Sequence, residues 1–366
     1  MQGREVYFER CRQRIRRFLE QLLAARGGEL GAVNPLGGEL GGLLSAFAAQ
    51  GKMLRGGMVF LGARLLECGP LPPEGAVTAV AAAMELFQSG LLVHDDIMDR
   101  DATRRGEPTI HHRYADQARR RRARDPEHLG QSLGICAGDV AFFLGFEVLS
   151  GPPVPEQARA GLLALCSGEL SRVAVAQMQD VAWGAQPAFG GAGSEAAPEE
   201  EVLRLYTFKT GRYTFSMPLA AGALLSGCGP EAREALERLG ECLGILFQLR
   251  DDLLGLFGDP RELGKPVGSD LREGKKTILH GRLMARAPEA AAARLRGIFG
   301  NPAIGEAELD FVRGQVEGLG VLRELQELSA GYAAEARRLI EGLPRARAEE
   351  RGVLGELVRY TSERTR

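Results

Sequence analysis

Residues 76–99 read AVTAVAAAMELFQSGLLVHDDIMD. Alanine is the strongest helix former, and the apolar residues recur at spacings of three and four. The stretch therefore predicts one long helix from Ala76 to Asp99 that ends in carboxylates. Asp95, Asp96 and Asp99 stand at i, i+1 and i+4, so they share a helix face. Left alone, three such groups repel. Hard oxygen donors invite a divalent cation, and magnesium is usually held by one or two carboxylates plus the phosphates of a substrate. Read on to residue 112, the string becomes LLVHDDIMDRDATRRGEPTIHH. Arg104 and Arg105 lie just beyond the helix, where guanidinium forks suit phosphate oxygens. Gln88 lies two turns before Asp95 on the same side. An acidic helix end paired with nearby arginines is the plainer reading of such a cluster taken by itself.

A second carboxylate pair makes that plain reading insufficient. FQLRDDLLGLFGDP, residues 247–260, brings Asp251 and Asp252, with Gly255 and Asp259 at later turns and Pro260 ending the helix. GKPVGSDLREGKKT follows, with Lys265, Asp270 and Lys275. Gly268 and Gly274 are one residue too far apart for a phosphate-binding P-loop, and Lys276 stands where a hydroxyl residue belongs, so that motif is excluded. Two more basic elements precede it. Gly51-Lys52-Met53-Leu54-Arg55-Gly56 sets cations at i and i+3 at a helix start, and Phe208-Lys209-Thr210-Gly211 sets a hydroxyl beside a lysine.

The remainder reads as helix as well. Periodic segments run over 7–25, 43–68, 130–149, 156–181, 200–225, 231–257, 287–299, 306–340 and 348–361, with a glycine-broken connection over 27–42. Alternating strand patterns are scarce and aromatics make up 6%. The expected fold is all-α, one large bundle of long helices. The chain has 366 residues, 45% hydrophobic and 26% charged, with net charge −2, which disfavours a nucleic-acid partner. No uninterrupted apolar run of membrane-spanning length is present, and no leader pattern opens the chain, so no membrane span is expected. Cys11, Cys68, Cys136, Cys166, Cys228 and Cys242 are scattered with no CxxC pair, which predicts free thiols in a reducing cytoplasm. Flexible loops are expected at about 117–129, which holds an arginine run, and 184–199, rich in glycine and alanine.

In combination these motifs resemble the trans-isoprenyl diphosphate synthases, or polyprenyl synthetases. The resemblance runs from about Gly51 to Thr277 and rests on GKxxR, the first DDxxD with RRG behind it, KT, and FQxRDD with its downstream lysines. It implies the isoprenoid synthase type I fold around a central cavity, as a single domain over 1–366 with its motif-bearing core at about 43–281. It implies chain elongation, in which an allylic diphosphate ionises and isopentenyl diphosphate attacks the cation. Asp95, Asp96, Asp99, Asp251 and Asp252 resemble ligands of magnesium, three ions when substrate is bound. Arg104, Lys209, Lys265 and Lys275 resemble the allylic diphosphate contacts. Lys52, Arg55, Gln88 and Arg105 resemble the isopentenyl diphosphate pocket. Lys209, Thr210 and Gln248 resemble the groups that stabilise the allylic cation. A homodimer is implied too.

One position departs from the family pattern: Gly255 replaces the last aspartate of the second cluster, with Asp259 one turn further on. His94, next to Asp95, reads as a packed histidine rather than a base, and His111 and His112 read as structural. Product length is read from the residues before Asp95. Family members that stop at farnesyl often carry an aromatic four or five positions earlier; here Leu91 and Gly90 stand there, and Phe87 lies a turn below. That points to the C20 geranylgeranyl product, with farnesyl or longer products and a non-catalytic partner subunit as alternatives. A terpene cyclase would not need the Lys52, Arg55 and Arg105 set.

Overall fold

The computed structural model describes residues 3–184, 196–258 and 267–363. Lys265 and Asp259, and most of the 184–199 segment, lie outside the described residues. Contacts divide the chain into two compact units: 1–167 with 217–236 and 344–353, and 168–216 with 237–343 and 354–366.

The first unit is built on α1 (Gly3–Gly31), α2 (Pro35–Ala49), α3 (Leu54–Leu65), α4 (Glu74–Met98), α5 (Ile110–Arg120) and α6 (Pro126–Ser150). Helix α4 is the expected long helix. It packs against α6 and α3, and Val80, Met84, Leu86 and Phe87 are wholly buried. The connection expected over 27–42 is instead mostly helical. Asn34 caps α2, accepting from the Gly37 amide at 3.1 Å, with Pro35 in the first turn. The glycines serve close packing of α1 on α2: a Cβ on Gly41 would stand 2.8 Å from Gly27 Cα. The expected loop at 117–129 shrinks to residues 121–125, because α5 runs to Arg120 and α6 starts at Pro126, capped by Asp125. Among the described residues, two 25-residue helices are long and apolar enough to cross a membrane by composition: α4, whose apolar window is 83% buried, and α6, at 44%.

The cysteine expectation fails at one pair. Cys68 and Cys228 are disulfide-bonded across 160 residues, while Cys11, Cys136, Cys166 and Cys242 are free. The cause is packing. Helix α3 lies against α9 (Met217–Leu225), and Ser226 donates to the Ala63 carbonyl at 2.5 Å, so the segments that follow both helices end side by side. The thiol argument for a reducing compartment falls with this bond.

The second unit takes in most of α7 (Glu156–Gly184), then α8 (Glu199–Leu205), a π-helix (Tyr206–Ser216) and most of α10 (Pro230–Phe257). Next come α11 (Ser269–Glu273), α12 (Ile278–Arg286), α13 (Glu289–Ile298), α14 (Glu306–Gly318) and α15 (Val321–Glu341), and much of α16 (Ala348–Glu363). The helix expected over 306–340 is broken at Gly320, whose φ is +75°. A core of Leu249, Leu253, Leu283, Leu295, Val312 and Val316 joins these elements.

Candidate active site

In the first unit the C-terminus of α4 carries Asp95, Asp96 and Asp99. Asp95 and Asp99 are partly exposed and a turn apart, linked by the Asp99 amide donating to the Asp95 carbonyl at 2.8 Å. Asp96 points inward and is fully buried. Arg104 Nε donates to its Oδ1 at 2.5 Å, and burial nevertheless pushes the Asp96 carboxyl up to about 6 against the pull of Arg104. Asp96 Oδ2 is buried with no hydrogen-bond partner. Among the described residues no group of three or more His, Cys, Asp or Glu side chains is arranged to hold a metal unaided. Hard carboxylate donors on an accessible face, short of a full protein cage, fit magnesium that shares its shell with substrate phosphates.

Arg104 sits on β1 (Thr103–Arg104), paired with β2 (Glu107–Pro108). The two-residue turn between them is Arg105-Gly106, with φ +54° and +82°. A hairpin this tight wants both central residues left-handed, which glycine accepts and arginine adopts at a cost. The turn carries Arg105 toward Gly51: its Nη1 lies 3.6 Å from where a Gly51 Cβ would stand. Burial lowers the Arg105 pKa, and the charges of Arg104 and Arg55 lower it further. The buried Glu85 carboxylate acts on both Arg55 and Arg105. Arg55 and Arg105, which the resemblance assigns to one pocket, thus lie close enough for each charge to be felt by the other and by Glu85.

His94 and His111 have partners within the first unit. His94 Nε2 is 3.1 Å from the Ile135 carbonyl and 3.5 Å from Asp139, both on α6. His111 Nδ1 meets Thr109 Oγ1 at 3.1 Å.

In the second unit Lys209 and Thr210 sit on the π-helix, a conformation that recurs at functional sites. It approaches α10 through two glycines: a Cβ on Gly244 would stand 2.0 Å from Gly211 Cα. That contact leaves Thr210 beside Gln248, and a polar relay follows. Thr210 Oγ1 donates to Gln248 Oε1 at 3.0 Å, and Gln248 Nε2 donates to Asp252 Oδ1 at 2.9 Å. Tyr206 donates its hydroxyl to Asp252 Oδ2 and accepts the Ile278 amide at 3.2 Å. Burial, then the charge of Asp270, raises the Asp252 pKa well above the usual carboxylate value. Asp251, the next residue, is exposed.

Two functional candidates here, Tyr206 and Asp180, escaped the motif reading, and a third, Asp270, was quoted in its motif without a role. Tyr206 holds Asp252. Asp180 on α7 pairs with Lys209 and accepts from Lys275 Nζ at 3.0 Å, so one buried carboxylate gathers two of the expected diphosphate lysines. Burial raises its pKa, but Lys209 and Lys275 outweigh that and hold it below the usual range. Asp270, from α11, brings its Oδ2 to 3.2 Å from where a Gly255 Cβ would stand. The gap at Gly255 is thus bordered by a carboxylate from 15 positions downstream, which spacing within one helix cannot reveal.

A model of the polyprenyl synthetase family matches residues 40–314. The chain belongs to the polyprenyl synthetase family of prenyltransferases. A geranylfarnesyl diphosphate synthase of Aeropyrum pernix is 30% identical over 333 residues, 89% of this chain and 94% of that one. A short chain isoprenyl diphosphate synthase of Methanocaldococcus jannaschii is 35% identical over 233 residues; that match spans 63% of its length and 64% of this chain. Among solved structures, a geranylgeranyl pyrophosphate synthase of Corynebacterium glutamicum, complexed with isoprenyl diphosphate and magnesium, superposes with a TM-score of 0.88 at 29% identity, covering 98% of each chain. The all-α fold expected from sequence is the fold of this family.

Proposed function

We propose that the protein elongates an allylic diphosphate with isopentenyl diphosphate and makes mainly the C20 product. The observation that carries this is the separation of two recognition sets around α4. Asp95 and Asp99 form a carboxylate set for a metal-bound diphosphate, while Lys52, Arg55 and Arg105 form a cationic set with Glu85 as the buried carboxylate beside it. An enzyme that ionises one diphosphate without a second substrate has no use for the latter set.

Asp95 and Asp99 in the first unit, and separately Asp251 in the second, would hold magnesium, which would supply positive charge to the leaving diphosphate. Lys209 and Lys275, gathered by Asp180, would receive the departing charge. The oxygens of Thr210 and Gln248 offer dipoles to the carbon cation. No side-chain nucleophile is needed. We assign Asp270 the role that Gly255 leaves vacant, since its carboxylate borders that gap.

For product length, Gly90 opens no empty space: a Cβ there would stand 2.9 Å from Phe142 Cε2 of α6. Phe87 lies wholly buried below, with ring centroids 6.5 Å from Phe142 and 4.9 Å from Phe146. The floor is this cluster, with the partly exposed Phe142 as its upper ring and Phe87 as its base. Chromatography of dephosphorylated products tests it. Phe87→Ala should lengthen products and Leu91→Phe should shorten them toward C15; unchanged distributions in both would place the floor elsewhere. Phe142→Ala separates the two rings, because lengthening there alone makes Phe142 the stop.

The proposal includes a homodimer. Ile135 and Phe143 on α6 are 47% and 70% exposed, an apolar surface suited to a second copy. Phe143→Glu should then shift the sedimentation coefficient to that of a monomer.

A further inference from the structure

Helix α3 begins without the cap that a helix start ordinarily has. Its first amides have no partners within the helix. The residue before it, Met53, offers no side-chain hydrogen bond, and it sits at φ +50°, a left-handed conformation that costs a non-glycine residue energy. Lys52 and Arg55 flank this strained start. The missing partner arrives from another helix. Glu85 on α4 is 6% exposed, and its Oε1 accepts the Gly56 amide at 2.8 Å, with the Arg55 amide also lowering its pKa by hydrogen bonding. A carboxylate at a helix N-terminus also meets the positive end of the helix dipole.

Burial of that carboxylate raises its pKa, and the opposing pull comes from the same two amides and from the guanidiniums of Arg55 and Arg105. One group therefore does two things. It ties the first turn of α3 to α4 one turn before Gln88, and it offsets part of the mutual repulsion between Arg55 and Arg105.

We propose that Glu85 is a positioning residue of the isopentenyl diphosphate pocket, acting as a cap in trans that fixes Lys52 and Arg55 on the start of α3. It touches no substrate. The proposal rests on Lys52, Arg55 and Arg105 being that pocket.

The test compares Glu85→Gln, which keeps an acceptor oxygen and the size, with Glu85→Leu, which removes the acceptor. Two readouts are taken: hydrogen exchange of the Arg55 and Gly56 amides, and the separate KM values for isopentenyl and allylic diphosphates. Glu85→Leu should lose protection at both amides and raise the isopentenyl diphosphate KM about tenfold, the size expected for one hydrogen bond to a charged group. The allylic KM should stay within about twofold, well under the loss of one hydrogen bond. Glu85→Gln should restore most of the protection and most of the KM. Lost protection with both KM values unchanged, or raised alike, would make Glu85 a structural group only and overturn the proposal. Retained protection in Glu85→Leu would overturn it as well. Lys52→Ala is measured in parallel: an unchanged isopentenyl diphosphate KM there would show that the pocket assignment has failed, while the amide exchange still reports on the cap.

Discussion

The two acidic regions solve the same problem of crowded negative charge in different ways. In the first, the three aspartates come from one helix end, and the buried one, Asp96, is neutralised by Arg104 a few residues away. In the second, the buried Asp252 is held by a phenol and an amide, both uncharged, and the charge of another carboxylate, Asp270, raises its pKa further. The first region is a local motif with its counter-ion attached. The second is assembled from α10, the π-helix and α11. Burial acts on both, pushing Asp96 to about 6 and Asp252 well above its usual value. Among the described residues, the hydrogen-bond partners of Asp252 are Tyr206 and Gln248, whereas Asp96 has Arg104.

The largest effect should come from removing the exposed carboxylate of either region. Asp95→Ala and Asp251→Ala should each lower kcat by about 10³-fold or more, since each removes metal-held charge stabilisation worth several kcal/mol. Folding should survive, and circular dichroism melts in chelator check that. A near-normal rate in one variant alone would reduce the comparison to a single working region.

Asp270→Ala sharpens it next. If Asp270 serves in place of the residue missing at Gly255, kcat should fall by about 10–100-fold and the magnesium concentration for half-maximal rate should rise. Restoring the family residue as Gly255→Asp should not help in the presence of Asp270, because its Cβ would already lie 3.2 Å from Asp270 Oδ2. A rate at or above the parent in Gly255→Asp would contradict this. Tyr206→Phe should cost about tenfold in kcat with little change in either KM, because it frees Asp252 without touching substrate. The same loss from an equivalent change around Asp96 would remove the contrast between the regions.

How much of this was legible depended on range along the chain. The long α4 helix, the Asp95 cluster and the RRG turn follow from adjacent residues, so pattern sufficed. The Lys209–Thr210 pair was readable as a motif, but its π-helical setting comes from the Gly211–Gly244 contact, 33 residues apart. Asp180, Tyr206 and Glu85 were missed, and Asp270 was quoted without its place beside Gly255, for one physical reason: each acts across a tertiary contact, and each, in its own segment, looks like an ordinary polar residue. The Cys68–Cys228 bond was missed likewise, since only the packing of α3 on α9 brings the partners together. The arginine run at 119–124 misled, because it suggested a loop where α5 continues to Arg120.

The smallest expected effect concerns histidines, in which the two units also differ. In the first, His94 and His111 have partners; in the second, His280 is 1% exposed and neither ring nitrogen has a hydrogen bond. Burial, with Lys276 adding, pushes its pKa down to about 3. The unfolded chain takes up this proton near about 6.5. Its contribution to stability is therefore fully present above about 6.5 and drains away as pH falls toward the folded value. His280→Leu should raise stability by on the order of 1 kcal/mol at pH 7.5, by removing an unsatisfied polar ring, and by more at pH 5. Thermal melts at the two pH values check it; an equal gain at both would mean that His280 does not titrate as described.

The central claim is condensation, and one assay addresses it. Purified protein is incubated with labelled isopentenyl diphosphate and each of dimethylallyl, geranyl and farnesyl diphosphate, with magnesium and then with excess chelator, and the dephosphorylated products are chromatographed. The account predicts label in longer prenyl chains, mainly C20, only when magnesium is present. Label that stays in isopentenyl diphosphate with every primer, or elongation that survives chelation, would contradict it.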